Sequence, residues 1–119
     1  MYLKKKYTLE IDYFSGRQNP LLEISERDFA ALYRQVMSLK RSEDSLLFDG
    51  LGFRGFKVSD STSTFLSLQK NIIKVESDRN VQYRKNDRKT RSKMIALVKK
   101  YDHKNNYGTL IEQIVIEYL

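Results

Sequence analysis

Two arginines sit in glycine-bearing loops whose composition suits the capture of an anion. Arg17 lies in Ser15-Gly16-Arg17-Gln18-Asn19-Pro20 and Arg54 in Gly50-Leu51-Gly52-Phe53-Arg54-Gly55-Phe56. Glycine admits positive φ, so the backbone can turn tightly around a guanidinium, which presents five donors in a fixed fork. If the loops converge at one end of a sheet, Arg17, Arg54, Asn19 and Ser15 form a donor set able to hold a carboxylate or phosphate. The same residues also support a structural reading. Each guanidinium then bonds turn carbonyls or a neighbouring acid and organises its loop with no ligand.

The other concentration of cations is a segment. Residues 84–104 carry nine basic side chains against Asp87 and Asp102, a net +7 that equals the charge of the whole chain, while 13 basic residues balance 13 acidic ones elsewhere. Arg84, Lys85, Arg88, Lys89, Lys93 and Lys100, flanked by Tyr83, Tyr101 and Tyr107, could grip phosphates while tyrosines stack on bases, which makes a nucleic acid the alternative partner. A solvated helix face needs the same composition. The last predicted helix is too apolar and acidic to read a DNA groove, so no helix-turn-helix is expected.

Other chemistries find little support. With no cysteine there is no disulfide or thiol nucleophile, and a single His103 beside Asp102 has neither a nucleophile nor a metal-ligand pattern around it. No catalytic residue, metal or cofactor is therefore expected. Gly50, Gly52 and Gly55 spell G-x-G-x-x-G, but that dinucleotide fingerprint must open a helix, whereas Phe56-Lys57-Val58 continues as a strand pattern. Glu10 and Asp12 share one strand face two residues apart and read as solvated positions opposite a basic neighbour strand. The basic start Lys4-Lys5-Lys6 is followed by no apolar run of signal-peptide or membrane-span length, so a cytoplasmic protein without a membrane partner is expected.

The elements that position these residues follow from hydrophobic period. Tyr7, Leu9, Ile11 and Tyr13 alternate with polar residues and predict a first strand. Ser25 as N-cap, with Asp28 three residues on and an Ile24–Phe29 staple, opens a helix of about four turns whose stripe is Phe29, Leu32, Val36 and Leu39. A polar connector spans 40–49, its Leu46, Leu47 and Phe48 dipping back to the core. Residues 53–58 form a second strand with Arg54, Phe56 and Val58 on one face. Residues 65–76 form a third, bent near Lys70-Asn71, and Ser77-Asp78-Arg79-Asn80 turns into a short strand at 81–83. Asn86 or Asp87 caps a second helix running to Tyr101. Thr109 and Glu112, at capping-box spacing, open a final helix. Without consecutive βαβ units, these elements predict an α+β domain spanning 1–119: a small, mostly antiparallel sheet of three to four strands with about three helices on one face.

Taken together, the Ser15–Pro20 loop and the Gly50–Phe56 segment resemble the paired signature of a group of small bacterial proteins of unassigned function. That group has a Ser-Gly-Arg-Pro-Asn-Pro loop followed by an aromatic residue, then a Gly-Leu-Gly-Tyr-Arg-Gly-Phe segment. Here Gln18 replaces the proline, Phe53 stands in place of the tyrosine, and no tryptophan follows Pro20. The resemblance spans the first half of the chain, with a weaker likeness at Tyr83 and Asp87. It implies one compact domain and supplies no activity. The preferred functional expectation is a non-enzymatic binding domain for a protein or anionic ligand, acting through the arginine loops or a sheet edge, with a homodimer compatible. The alternatives are nucleic-acid binding through residues 84–104 and a small enzyme acting on an anionic substrate near Arg17 and Arg54.

Overall fold

Strong alternation in the first half of the chain and 3.6-residue periodicity after residue 87 set the architecture. The computed structural model describes residues 6–13, 18–45, 47, 50, 52–60, 65–102 and 106–119. In chain order the elements are β1 (Tyr7–Asp12), β2 (Leu21–Ile24), α1 (Glu26–Met37), β3 (Gly55–Asp60), β4 (Phe65–Leu68), β5 (Ile72–Ser77), β6 (Asn80–Lys85), α2 (Arg88–Tyr101) and α3 (Gly108–Tyr118). The strands form one antiparallel sheet in the order β2-β1-β3-β4-β5-β6. The α+β class and three helices agree with the sequence; six strands replace the expected three to four.

Two features account for the extra strands. β2 is four residues long and follows Pro20, too short for its alternation to stand out. Proline can still accept a ladder bond, and the Ile11 N–H donates to the Pro20 carbonyl at 3.0 Å. The predicted bend at Lys70-Asn71 is a complete reversal between β4 and β5, closed by the Gln69 N–H on the Ile72 carbonyl at 3.0 Å. What holds that turn comes from far along the chain. Asn86 donates its backbone N–H to the Asn71 carbonyl at 3.1 Å and its side-chain amide to the Gln69 carbonyl at 2.7 Å, while Arg91 reaches the Lys70 carbonyl at 3.0 Å. The second hairpin turns at Asp78-Arg79 as expected. It holds Arg79 at φ 64°, a left-handed value that costs a β-carbon residue strain.

Antiparallel register sorts the side chains into two faces. Leu9, Ile11, Leu22, Ile24, Phe56, Val58, Leu66, Leu68, Ile73 and Val75 share one face and are buried with Phe29, Leu32 and Val36 of α1, Met94, Ile95 and Val98 of α2, and Ile111, Ile114 and Tyr118 of α3. All three helices therefore lie against the same face. Each fully buried aliphatic side chain contributes about 1.5–3 kcal/mol. Tyr7 meets Phe29 with ring centroids 4.5 Å apart, and Tyr118 meets Phe56 edge-on at 5.0 Å.

Helix starts follow local chemistry. The Asp28 N–H donates to the Ser25 hydroxyl at 3.1 Å and the Thr90 N–H to the Asp87 carboxylate at 2.8 Å, the N-caps read from the sequence. The third start differs: α3 begins at Gly108 after Tyr107, with no side-chain cap. The capping role expected of Thr109 passes to Asp102, whose carboxylate accepts the N–H groups of Asn106 at 3.0 Å and Tyr107 at 3.1 Å. Among the described residues no helix is long and apolar enough to cross a membrane.

Candidate functional site

The sheet face opposite the helices gathers the chemistry. Asp12 ends β1 there, and pairing of Asp12 with Gly55 brings Arg54, the residue just before β3, alongside it. The Arg54 backbone N–H donates to the Asp12 carbonyl at 2.8 Å. Its side chain gives Nε and Nη2 to Asp12 Oδ1 at 3.1 and 2.8 Å, and Nη1 to the Gly50 carbonyl at 3.0 Å. The pair is mostly desolvated, 17% exposed for the Arg54 side chain and 13% for Asp12, which strengthens the contact and makes loss of either partner costly. Gly55 is obligatory at this junction: its φ is 119°, and a β-carbon would stand 2.4 Å from the Leu68 carbonyl oxygen.

Asn19 comes in from the other loop. Its amide donates to Glu10 Oε2 at 3.0 Å and to Asp12 Oδ1 at 3.4 Å, and its carbonyl oxygen accepts the Tyr13 N–H at 3.1 Å. The two loops thus meet at Asp12 through Asn19 and Arg54. Ser15 and Arg17, the other two residues of the expected donor set, lie outside the described residues, as does His103. Asp12 is not the solvated position its alternation suggested, because register delivers a guanidinium 42 residues away to it. Nor does Arg54 lie in a strand beside Phe56 and Val58.

Beside this clasp, register draws a row across the face: Glu10, Lys57, Ser67, Lys74 and Tyr83, each directly opposite the next. The middle of the row, Lys57, Ser67 and Lys74, lines a cavity of about 350 Å³ together with Leu47, Phe65 and Glu76. Ser67 is only 8% exposed and lines the cavity; its hydroxyl makes no hydrogen bond among the described residues and is not one of the enclosed atoms left without a partner, which are Asn86 Oδ1 and Arg91 Nε. Lys57 Nζ stands 3.8 Å from Asp12 Oδ2 and Lys74 Nζ 2.6 Å from Glu76 Oε1. The Glu76 hydrogen bond raises the Lys74 pKa, so this amine stays a cation and is poorly suited to act as a base toward Ser67.

Sequence reasoning missed this group for a geometric reason. In one continuous strand over 65–76, Ser67 and Lys74 would point to opposite faces because side chains alternate. The reversal at Lys70-Asn71 puts them side by side. A larger hollow of about 1070 Å³ lies between the β1–β2 loop and the start of α3, beside Tyr13, Leu21, Tyr107 and Gln113. Among the described residues its lining holds no lysine or arginine and no buried unpartnered group, so size alone does not recommend it.

The cations of 84–104 divide between two elements. Arg84 and Lys85 belong to β6 rather than to the helix face expected of them, and Arg84 donates Nη1 to the Leu39 carbonyl at 2.8 Å and Nε to Gln82 at 3.0 Å. On α2, Lys93 reaches Gln35 at 3.3 Å and Lys100 meets Asp28 Oδ2 at 2.8 Å, while Arg88 and Lys89 are exposed. The Lys100 and Tyr101 hydrogen bonds hold the Asp28 carboxyl below the usual aspartate range. Among the described residues no three His, Asp or Glu side chains gather as metal ligands. Comparison of the chain with protein-family models, curated proteins and solved structures returns no match.

Proposed function

We propose that this protein is a non-catalytic binding domain that receives its ligand or partner on the sheet face left bare of helices. The observation that carries the reading is the cavity of about 350 Å³ on that face, lined by Lys57, Ser67 and Lys74 on its polar side and by Phe65 and Leu47 on its apolar side. Arg54 and Asn19 serve the domain by holding Asp12 at the cavity's edge, where their donors engage its carboxylate. Arg54, one of the two arginines on which the enzymatic alternative rests, is engaged by Asp12 in the same way.

Backbone amide shift mapping at low salt, with a pool of small organic acids and phosphates, tests the reading. Shifts clustered on residues 57, 65–69 and 74 are expected. A map that leaves those amides still and moves residues 85–100 would replace it with the second reading.

That second reading is nucleic-acid binding along α2, and it rests on one observation. Arg88, Lys89, Lys93, Lys99 and Lys100 are exposed on a helix with no acidic residue, and its first turn opposes cations to the positive end of the helix dipole. Such an arrangement costs stability and suits a polyanion. Fluorescence anisotropy with a mixed-sequence RNA should then show affinity falling steeply with log salt, and no binding at low salt would remove it.

A further inference from the structure

We infer that the Ser67 niche is a receiver for a single oxyanion, a carboxylate or phosphate carried on an aromatic or apolar body; this rests on the sheet-face reading above. Lys57 and Lys74 occupy the strands on either side of Ser67 and are directly opposite it. Neighbouring strands are about 4.8 Å apart, so the two lysine stems start roughly 10 Å from each other and can close over a group seated on the serine.

Donor capacity remains in all three residues. An ammonium has three N–H donors. Lys74 spends one on Glu76, and Lys57 stands beyond hydrogen-bond length from Asp12. The Ser67 hydroxyl, in the cavity lining, spends none on the described residues. An oxyanion between them accepts from the hydroxyl and both ammonium groups, and such charge-assisted bonds are about twice as strong as neutral ones. The nearest carboxylates that would repel it, Asp12 and Glu76, are bonded to Arg54 and Lys74. Phe65 and Leu47 form the apolar side of the cavity, which explains the second half of the ligand. A bare inorganic ion would leave that surface wet; an aromatic or aliphatic body covers it. The cavity, about 350 Å³, has room for one ring and its acid group.

The test is a set of amide shift titrations at low salt with three probes of one shape: phenyl phosphate, benzoate and the neutral benzyl alcohol. Saturable shifts at residues 57, 65–68 and 74 are expected with an oxyanion probe, the phosphate and benzoate arms separating the two acid types. Affinity should fall about tenfold in Ser67→Ala, the loss expected for one hydrogen bond to a charged group, and similarly in Lys74→Gln. Lys89→Gln should leave it unchanged. Affinity unchanged from the unaltered protein in both Ser67→Ala and Lys74→Gln, each shown folded by its amide spectrum, overturns the inference. Benzyl alcohol binding as tightly as the acids also overturns it while leaving the sheet-face reading intact. No response of these amides to any probe removes both.

Discussion

Asp12 meets Arg54 and Asp28 meets Lys100 at the same distance, 2.8 Å, yet the two contacts are not equivalent. The first lies at the end of the bare sheet face, with its side chains 17% and 13% exposed; the second spans two helices, with the Lys100 side chain 62% exposed. Water and salt screen the second pair and leave the first largely unscreened. Distance therefore says little about which cation holds the fold together. On the reading proposed above, the contrast also separates scaffold from recognition: the desolvated guanidinium of Arg54 is held by Asp12, and recognition is assigned to Lys57, Ser67 and Lys74 beside it.

The largest effect expected is at the platform beneath the clasp. Gly55→Ala forces a β-carbon into the Leu68 carbonyl at a φ of 119° and should cost about 3–4 kcal/mol by urea denaturation, or prevent folding. Arg54→Ala should cost about 2–3 kcal/mol, less than a fully buried pair because Asn19 and Lys57 still attend Asp12. On the helical side, Asp87→Ala removes the N-cap of α2 and should cost about 1 kcal/mol.

Acid sharpens the same contrast. The Thr90 contacts hold Asp87 below the ordinary aspartate range, and the Lys100 and Tyr101 hydrogen bonds do the same for Asp28. A depressed native pKa means the unfolded chain binds more protons just below its own value of about 3.9, so these contributions are complete above that pH and fade as it falls toward the native values. Stability measured from pH 5 downward should drop, and Asp28→Asn should flatten part of that slope. The smallest effect is a gain. Arg79→Gly relieves a left-handed residue at the β5–β6 turn and should add about 0.5 kcal/mol, although it too deletes an arginine.

What could be read in the sequence was what neighbours decide. Ser25 and Asp87 announce their helices because a cap needs only the next three residues. The Tyr7–Asp12 alternation and the Asp78-Arg79 turn are local in the same sense. The reversal at Lys70-Asn71 was hidden because Asn86 and Arg91, well downstream, hold its carbonyls. The convergence of the two loops was legible in outline, but Asp12 as the shared partner was not, since pairing of β1 with β3 delivers it. Ser67 carried no motif; only correct register sets it between Lys57 and Lys74.

A pair of double-mutant cycles, Arg54/Asp12 and Lys100/Asp28, each to alanine and read by urea denaturation in the same buffer, tests most directly whether Arg54 is spent on the scaffold. The expected result is a coupling of about 2 kcal/mol for Arg54 with Asp12 and a smaller one, about 0.5 kcal/mol, for Lys100 with Asp28. Coupling near zero in the first cycle, or equal values in both, would contradict the account and return Arg54 to the set of groups available for a ligand.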